Sequence, residues 1–128
     1  MKKTFINGSL LLLSMLLIQC ADVNNESVWN HYTTGRATWY GPGFHGRTTA
    51  SGETFNKNKL TAAHRTLKFG TEVRVTNLSN NKQIVVRITD RGPVSKKFVI
   101  DLSEKAAEQL DMKEAGVVPV KLEIHKTD

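Results

Sequence analysis

One short stretch restricts the fold of this chain more than any other. Residues 85–89 are rich in β-branched side chains and run directly into Asp90, after which Gly92-Pro93 turns the chain. β-Branched residues favour strands, and Gly-Pro marks a turn. The stretch therefore predicts a strand that ends in a positioned carboxylate, and binding and catalytic groups are common at such junctions. The alternative is that Asp90 only accepts hydrogen bonds from the amides of the turn.

Alternation of apolar and polar residues with a period of two recurs along the chain and predicts a mainly β protein. The expected strands are 36–40, 71–77, 83–89, 98–102 and 117–125. The second and third of these flank a turn-forming segment and predict a β-hairpin. A short strand is a candidate at 53–55, and 60–64 fits either a strand or a single helical turn.

A single helix is predicted after the fourth of these strands. Ser103 is a suitable N-cap, and Ala106, Ala107 and Leu110 share one face of a helix over 104–112. A chain of 128 residues has room for one domain with an adequate core. About six strands and one short helix indicate a small closed β-barrel.

The N-terminal residues predict export. Lys2 and Lys3 precede a nine-residue apolar run at 10–18, which is too short to cross a bilayer as a helix. A positive start followed by a short apolar core is typical of a secretory signal peptide. We therefore expect residues 1–19 to be a signal peptide; a buried helix is the alternative.

Cys20, the only cysteine, follows this apolar run directly. Residues 17–20 resemble a bacterial lipobox, in which the cysteine is acylated, although Gln19 stands where a small residue is usual. We expect a lipoprotein anchored to the membrane through Cys20, with ordinary signal-peptide cleavage as the alternative. Ala21, rather than Asp, follows the cysteine, which indicates an outer-membrane lipoprotein facing the periplasm.

The segment after the cysteine is polar and aperiodic. Residues 20–34 are expected to form a tether that holds the domain, 35–125, away from the lipid surface. Trp29 and Tyr32 lie within this segment, so docking of the tether on the domain is the alternative.

Charge and spacing disfavour several classes of function. A net charge of +6 favours an anionic partner, but the basic residues are scattered and no nucleic-acid-binding motif is present. The four histidines lack metal-ligand spacing, and no nucleophile elbow accompanies a Ser-His-Asp set. We expect a monomer with no metal, no cofactor and no nucleic-acid partner.

Polar side chains in the loops predict a site for carbohydrate chemistry. Glu53, His64 and Asp101 join Asp90 as candidate acids and bases. Further polar residues near them in the sequence are Tyr40, Thr48, Thr49, Ser51 and Arg91. Two carboxyl groups flanking a sugar linkage commonly break glycosidic bonds, and one of them must hold a proton because of burial or a neighbouring carboxylate. The structural alternatives are a solvated turn residue for Glu53, a surface or packing histidine for His64, and a helix cap for Asp101.

The sequence closely resembles the rare lipoprotein A family, which is related to the expansins. The resemblance covers about residues 35–124 and rests on several motifs in the family's order. They are ATWYG at 37–41, GRTTASGETF at 46–55, LTAAHRTL at 60–67, FGTEVRVTN at 69–77, VRITDRGP at 86–93 and IDLS at 100–103.

The resemblance implies a six-stranded double-psi β-barrel with a substrate groove. It also implies an endolytic lytic transglycosylase that acts on peptidoglycan, on glycan strands without peptides. Glu53, His64 and Asp90 match the family's catalytic residues. By the implied mechanism, Asp90 protonates the oxygen between N-acetylmuramic acid and N-acetylglucosamine and then accepts a proton from the muramyl C6 hydroxyl, which closes a 1,6-anhydro ring. Glu53 and His64 are expected to orient the sugar or the proton network, and the polar residues near them in the sequence to bind substrate.

Two departures from the family keep other functions open. Asn56 stands where active members often carry Asp, and an amide cannot exchange a proton; we count it among the substrate-binding residues. Many relatives also append a C-terminal peptidoglycan-binding repeat domain, whereas this chain ends at Asp128, so recruitment through that domain is not expected. The alternatives are a glycan-binding, wall-loosening lipoprotein without bond cleavage and a regulatory partner of another wall enzyme.

Overall fold

The computed structural model describes residues 28–125, which form a closed barrel of six strands with one short helix. The elements are β1 Trp29–Trp39, β2 Thr61–Ala63, β3 Glu72–Asn77, β4 Gln83–Asp90, β5 Ile100–Leu102, α1 Glu104–Gln109 and β6 Val118–His125. The prediction of a mainly β barrel with one helix is confirmed. Within this part of the chain, no helix is long and apolar enough to span a membrane.

The barrel order is β1-β5-β2-β4-β3-β6, and β6 pairs with β1 to close it. The pairs β1/β5 and β2/β4 are parallel, and the other four pairs are antiparallel. The predicted hairpin is β3 and β4, with Val73 opposite Val86 and Val75 opposite Ile84. Parallel pairs need crossover connections, so strands distant in sequence become neighbours. Because β2 is parallel to β4 and antiparallel to β5, the loop after β2, the loop after β4 and the loop before β5 lie at the same end of the barrel.

Strand β1 begins earlier than the sequence predicts. The expected tether, 20–34, is wrong from Trp29 onward, because β1 pairs with β6 from Trp29 opposite His125 to Ala37 opposite Val118. The two rings of the first pair lie 4.1 Å apart. The first part of β1 is not recognisable as a strand in the sequence, because the side chains on its solvent face are polar. The predictions for residues 1–27, including the signal peptide and the lipidation of Cys20, lie outside the described residues.

Other boundaries differ by a few residues. The ambiguous segment 60–64 forms strand β2 rather than a helical turn, and 53–55 contributes one isolated bridge, between Thr54 and Thr48. Strand β5 begins at Ile100, two residues later than expected. Helix α1 ends at Gln109 because Leu110 is its C-cap and the next residue has a positive φ of 54°.

Helix α1 closes over the core, with Ala106, Ala107 and Leu110 fully buried. Ser103 caps it as predicted, since its hydroxyl accepts a hydrogen bond from the Ala106 amide at 3.2 Å. The interpretation of Asp101 as a helix cap is therefore wrong. Asp101 lies in β5 between Ile100 and Leu102, which both point into the core, so its own side chain points to the outer face.

Candidate active site

Strand register places three of the predicted acid–base residues at neighbouring strand ends. Ala63, the last residue of β2, lies opposite Asp90 on one side and opposite Asp101 on the other. His64 follows, and its amide donates to the Asp90 carbonyl at 3.1 Å. Residues directly opposite each other in a sheet point to the same face. The carboxyl groups of Asp90 and Asp101 therefore lie on one face, with only the small Ala63 between them.

The Asp90 carboxylate is held by three donors. Oδ2 accepts a 2.8 Å hydrogen bond from the Tyr40 hydroxyl, and Oδ1 accepts 2.9 Å hydrogen bonds from the amides of Ala50 and Arg91. Asp90 therefore accepts a hydrogen bond from an amide of the turn, as the structural alternative expects, and it also lines a cavity. This cavity of about 210 Å³, the Asp90 depression, is lined by Tyr40, Phe44, Arg47, Thr48, Thr49, Phe55 and Asp90.

The loop 43–56 is folded onto the end of β4. The Ser51 amide donates to the Thr89 carbonyl at 3.2 Å, which brings the neighbouring Ala50 amide to Asp90. A turn closes through Gly52, whose amide donates to the Thr49 carbonyl and whose φ of 88° favours glycine. The hydroxyls of Thr49 and Ser51 are hydrogen-bonded to each other at 2.9 Å. Thr49 lines the Asp90 depression, whereas Ser51 supports the loop.

Tyr40 is packed as well as hydrogen-bonded. Its ring stacks on Phe55, with centroids 4.6 Å apart, and meets Phe44 edge-on at 5.4 Å. Burial, followed by the hydrogen bond to Asp90, raises the pKa of Tyr40 far above its ordinary value. The phenol therefore remains a hydrogen-bond donor throughout the physiological pH range.

Glu53 forms an ion pair on the outside of the loop. Its two carboxylate oxygens accept hydrogen bonds of 2.6 and 2.8 Å from the guanidinium of Arg87. This bidentate contact lowers the pKa of Glu53. Glu53 does not line the Asp90 depression. An ionised carboxylate in such a pair is a poor proton donor and a good anchor for the loop.

His64 is buried and neutral. Its Nδ1 accepts hydrogen bonds from the amides of Thr66 at 3.1 Å and Leu67 at 3.0 Å. Burial, then the charges of Arg65 and Arg91, lower the pKa of His64. Because Nδ1 is an acceptor, the proton of the neutral ring is on Nε2. His64 lines a second depression of about 460 Å³, together with Tyr32, Thr33, Arg65, Thr66 and Val99.

Two other predicted substrate-binding residues are engaged elsewhere. The Arg91 guanidinium donates to the carbonyls of His64 and Leu67 and lies over the Phe69 ring at 4.0 Å. It therefore does not point toward the Asp90 carboxylate. Asn56 accepts a hydrogen bond from the Asn58 amide through its side chain, which is a local turn contact. Neither residue lines the Asp90 depression.

Asp101 is the carboxyl group with the most unusual surroundings. Its Oδ1 is buried and has no hydrogen-bond partner among residues 28–125. Burial and, secondarily, the negative charge of Asp90 raise the pKa of Asp101 to about 7. Within the same residues, no group of three or more His, Cys, Asp or Glu side chains is placed to hold a metal ion.

The sequence interpretation missed three contributors to the site. Arg87 alternates with the core residues Val86 and Ile88, so its outward direction was predictable but its partner Glu53 was not. Phe44 and Phe55 form apolar walls of the Asp90 depression. Their role depends on how the loop folds back on itself, for which the sequence gives no periodic signal.

The closed six-stranded barrel, with carboxyl groups on its outer face beside a folded loop, defines a protein of the double-psi β-barrel class. The chain belongs to the lytic transglycolase family, whose family model matches residues 32–122. The resemblance to rare lipoprotein A proteins is thereby confirmed.

Relatives and solved structures agree with this assignment. The chain is 57% identical over 90 residues to the endolytic peptidoglycan transglycosylase RlpA of Campylobacter jejuni, across 70% of this chain and 33% of that protein. It is 61% identical over 90 residues to the probable endolytic peptidoglycan transglycosylase RlpA of a Synechocystis strain, across 70% of this chain and 28% of that protein. The chain thus spans about a third or less of these curated relatives. The apo expansin of Clavibacter michiganensis aligns with a TM-score of 0.58 at 25% identity, across 75% of this chain and 51% of the expansin.

Proposed function

We propose that this protein is an endolytic peptidoglycan lytic transglycosylase. It cleaves the bond between N-acetylmuramic acid and N-acetylglucosamine and leaves a 1,6-anhydro-muramyl end. The observation that carries this proposal is the Asp90 carboxylate, oriented by the Tyr40 hydroxyl and two amides in the wall of a depression. The identity to proteins named as transglycosylases supports it.

The chemistry needs two proton transfers and no water. One proton goes to O4 of the leaving N-acetylglucosamine as its bond to the muramyl C1 breaks. The other leaves the muramyl C6 hydroxyl as O6 bonds to C1 and closes the ring. Asp90 is the carboxyl group proposed to exchange protons in this reaction, and its fixed orientation favours attack by O6 over attack by solvent.

Glu53 and His64 are proposed to act as positioning residues. The ion pair of Glu53 with Arg87 fastens the loop that carries the Ala50 amide and two threonines of the depression. The Nε2–H of His64 is the group that donates to a sugar oxygen in the second depression. A neutral donor suits this task because the pKa of His64 is lowered by burial.

Substrate contacts are proposed along the Asp90 depression. Phe44 is 44% exposed and offers a flat apolar surface for a sugar ring, while Arg47, Thr48 and Thr49 supply polar contacts. Glycan strands without peptides carry free lactyl carboxylates on muramic acid. Without residues 1–19, which include Lys2 and Lys3, the net charge falls from +6 to +4, and this positive charge favours such an anionic polymer. Ser51, Asn56 and Arg91 contribute by shaping the surrounding loops.

The cell envelope is the proposed location. We propose that the protein is exported, acylated at Cys20 and anchored in the outer membrane facing the periplasm, where it acts as a monomer. Labelling with a palmitate analogue in a Gram-negative host, with Cys20→Ser as the control, tests the anchor. Label on the wild-type chain alone supports it, whereas equal label on both chains contradicts it.

A glycan-binding module without cleavage is the second candidate function. Asn56 in place of a carboxylate and the structural likeness to an expansin favour it. Binding to glycan strands that survives Asp90→Asn, with no product from either protein, would select this alternative.

The test of the enzyme proposal is product analysis. The full chain is incubated with peptide-free glycan strands, and new chain ends are identified by mass spectrometry. Wild-type protein and the matched control Asp111→Asn, an exposed carboxylate whose positive φ of 54° suits Asn, should both yield anhydro-muramyl ends. Asp90→Asn should yield none. Equal products from Asp90→Asn would refute the role of Asp90.

A further inference from the structure

The Asp90 depression contains a carboxylate and a cation that are not paired with each other. Among the described residues that line it, Asp90 is the only carboxylate and Arg47 is the only cation. Within residues 28–125, neither side chain takes part in an ion pair. The oxygens of Asp90 accept hydrogen bonds from the Tyr40 hydroxyl and two amides instead. The charge of Arg47 is therefore available to a group of the substrate.

The guanidinium of Arg47 is exposed and lies 5.4 Å from the centre of the Phe44 ring. The two arginines on and after β4 are engaged differently, because Arg87 binds a carboxylate and Arg91 binds two backbone carbonyls. Contact with an aromatic ring restricts a guanidinium without using its N–H donors. Arg47 thus presents a planar set of donors at the rim of the Asp90 depression.

The backbone that carries Arg47 is fixed on both sides. Its amide donates to the Phe44 carbonyl at 3.1 Å, and its carbonyl accepts a 2.7 Å hydrogen bond from the Phe55 amide. The preceding amide, of Gly46, donates to the Phe55 carbonyl at 2.9 Å. Because this part of the loop is already ordered, binding a ligand through Arg47 costs only the freedom of its own side chain.

The proposed substrate carries one kind of ionisable group. Muramic acid differs from glucosamine by a lactyl ether on O3, which ends in a carboxylate when the strand has no peptide. When a peptide is attached, the same carboxyl carbon is part of an uncharged amide. A free lactyl carboxylate is repelled by the Asp90 carboxylate, so a cation is needed to hold it in the same depression. A guanidinium suits this task because it binds carboxylates through two parallel hydrogen bonds.

From this arrangement we propose that Arg47 binds the free lactyl carboxylate of the muramyl residue and thereby selects glycan strands without peptides. This inference rests on the proposed transglycosylase function and adds to it the residue that reads the substrate. A sugar ring that contacts Phe44 brings its O3 substituent within reach of the guanidinium. The lactyl group takes no part in bond cleavage, so the contact is equal in the ground state and the transition state. It therefore lowers KM and leaves kcat unchanged.

Two polymers with the same sugar backbone test this role. One is peptide-free glycan, and the other is the same glycan with its lactyl carboxyl groups converted to methylamides. The wild type should favour the free acid by about tenfold or more in kcat/KM, mostly through KM. Arg47→Gln should lose about tenfold on the free acid and less than about twofold on the methylamide, which removes the preference.

Arg36→Gln is the matched control. Arg36 is also an exposed arginine beside an aromatic ring, 5.7 Å from the centre of Phe98, and it does not line the Asp90 depression. This variant should keep the full preference for the free acid. An unchanged preference in Arg47→Gln overturns the proposal, and so does an equal loss of activity on both polymers.

A binding measurement separates recognition from cleavage. Calorimetry compares the full chain carrying Asp90→Asn with the same chain carrying Arg47→Gln as well. The proposal requires the second substitution to weaken binding of the free-acid polymer about tenfold and to leave binding of the methylamide unchanged. Equal binding of the free acid by both proteins overturns it. If the wild type cuts no glycan but this difference is found, the transglycosylase function fails while the carboxylate site stands. If the wild type releases anhydro-muramyl ends equally from both polymers, the function stands and this inference fails.

Discussion

The Tyr40 hydroxyl donates a 2.8 Å hydrogen bond to Oδ2 of Asp90. The two residues lie at the ends of β1 and β4, and β5 and β2 lie between these strands in the barrel. Tyr40 follows β1 and Asp90 ends β4, so the tyrosine side chain crosses the outer face over β5 and β2. Ala63 on β2 is small enough to be crossed. The contact fixes the direction of the carboxylate that we place at the centre of the reaction.

Replacing Tyr40 by Phe removes this hydroxyl and keeps the ring. We expect activity on glycan strands to fall about tenfold, because the carboxylate loses one of its three donors. The free energy of unfolding should fall by about 1.5–3 kcal/mol, as for other hydrogen bonds to a charged group. Initial rates and urea unfolding measure the two effects. Asp111→Asn, which replaces an exposed carboxylate outside the Asp90 depression, is the control, and an effect as large there would contradict the assignment.

Replacing Asp101 by Asn should change stability in a direction set by pH. The folded protein raises the pKa of Asp101 from 3.8 to about 7. This side chain therefore favours folding below the unfolded pKa, and that contribution is lost as the pH rises from about 4 through about 7. Asp101→Asn should gain about 2 kcal/mol relative to wild type between pH 4 and pH 8, after allowance for partial exposure. Denaturant unfolding at the two pH values gives the answer, and a constant difference would contradict the raised pKa.

The ion pair of Glu53 with Arg87 should act as a unit. If Glu53 works by anchoring the loop, then Glu53→Gln, Arg87→Gln and the double variant should lower activity to a similar degree, because each breaks the same contact. Rate measurements on the three proteins complete the cycle. A much larger loss for Glu53→Gln than for Arg87→Gln would instead assign Glu53 a direct chemical role.

His64 combines a structural and a proposed substrate-binding role, and two substitutions separate them. His64→Ala leaves the amides of Thr66 and Leu67 without an acceptor and should cost about 1–3 kcal/mol. His64→Asn restores a local acceptor and should recover most of this stability. Activity should stay low in both, because neither supplies the Nε2–H donor. Recovery of activity in His64→Asn would show that the ring serves only the turn.

The pH dependence of stability gives a separate check on His64. Its lowered pKa means that the neutral ring favours folding above the unfolded pKa near 6.5, and that contribution is lost as the pH falls through the folded pKa. Unfolding experiments below pH 6.5 should show a decline in the wild type that is smaller in His64→Asn. If the stability of His64→Asn declined as much as that of the wild type, the pH dependence would come from a group other than His64.

The sequence predicts the strands in which apolar and polar residues alternate regularly. It misses strands that are mostly exposed or buried on both faces, because these show no alternation. Strands β3, β4 and β6 were found because one face is apolar and the other polar. Residues 29–34 of β1 show no strand pattern in the sequence, because most of their side chains face solvent. The short β2 stayed ambiguous because Thr61, Ala62 and Ala63 are all buried, so no period is visible.

For the candidate site, the sequence offers residues of suitable chemistry and does not offer their geometry. Chain order and chemistry single out Asp90, Glu53, His64 and Asp101. The distinction between them depends on tertiary contacts: a guanidinium for Glu53, two amides for His64, and the lack of a partner in the described residues for Asp101. Barrel order decides these contacts, and no local pattern encodes barrel order.

The most direct test of the transglycosylase proposal is the fate of water oxygen. The full chain is incubated with peptide-free glycan strands in water enriched in heavy oxygen (oxygen-18). The masses of the new chain ends are then measured by mass spectrometry. We predict anhydro-muramyl ends that lack one water and carry no heavy oxygen, because the muramyl O6 closes the ring. New reducing ends that contain the heavy oxygen would show hydrolysis and contradict the account.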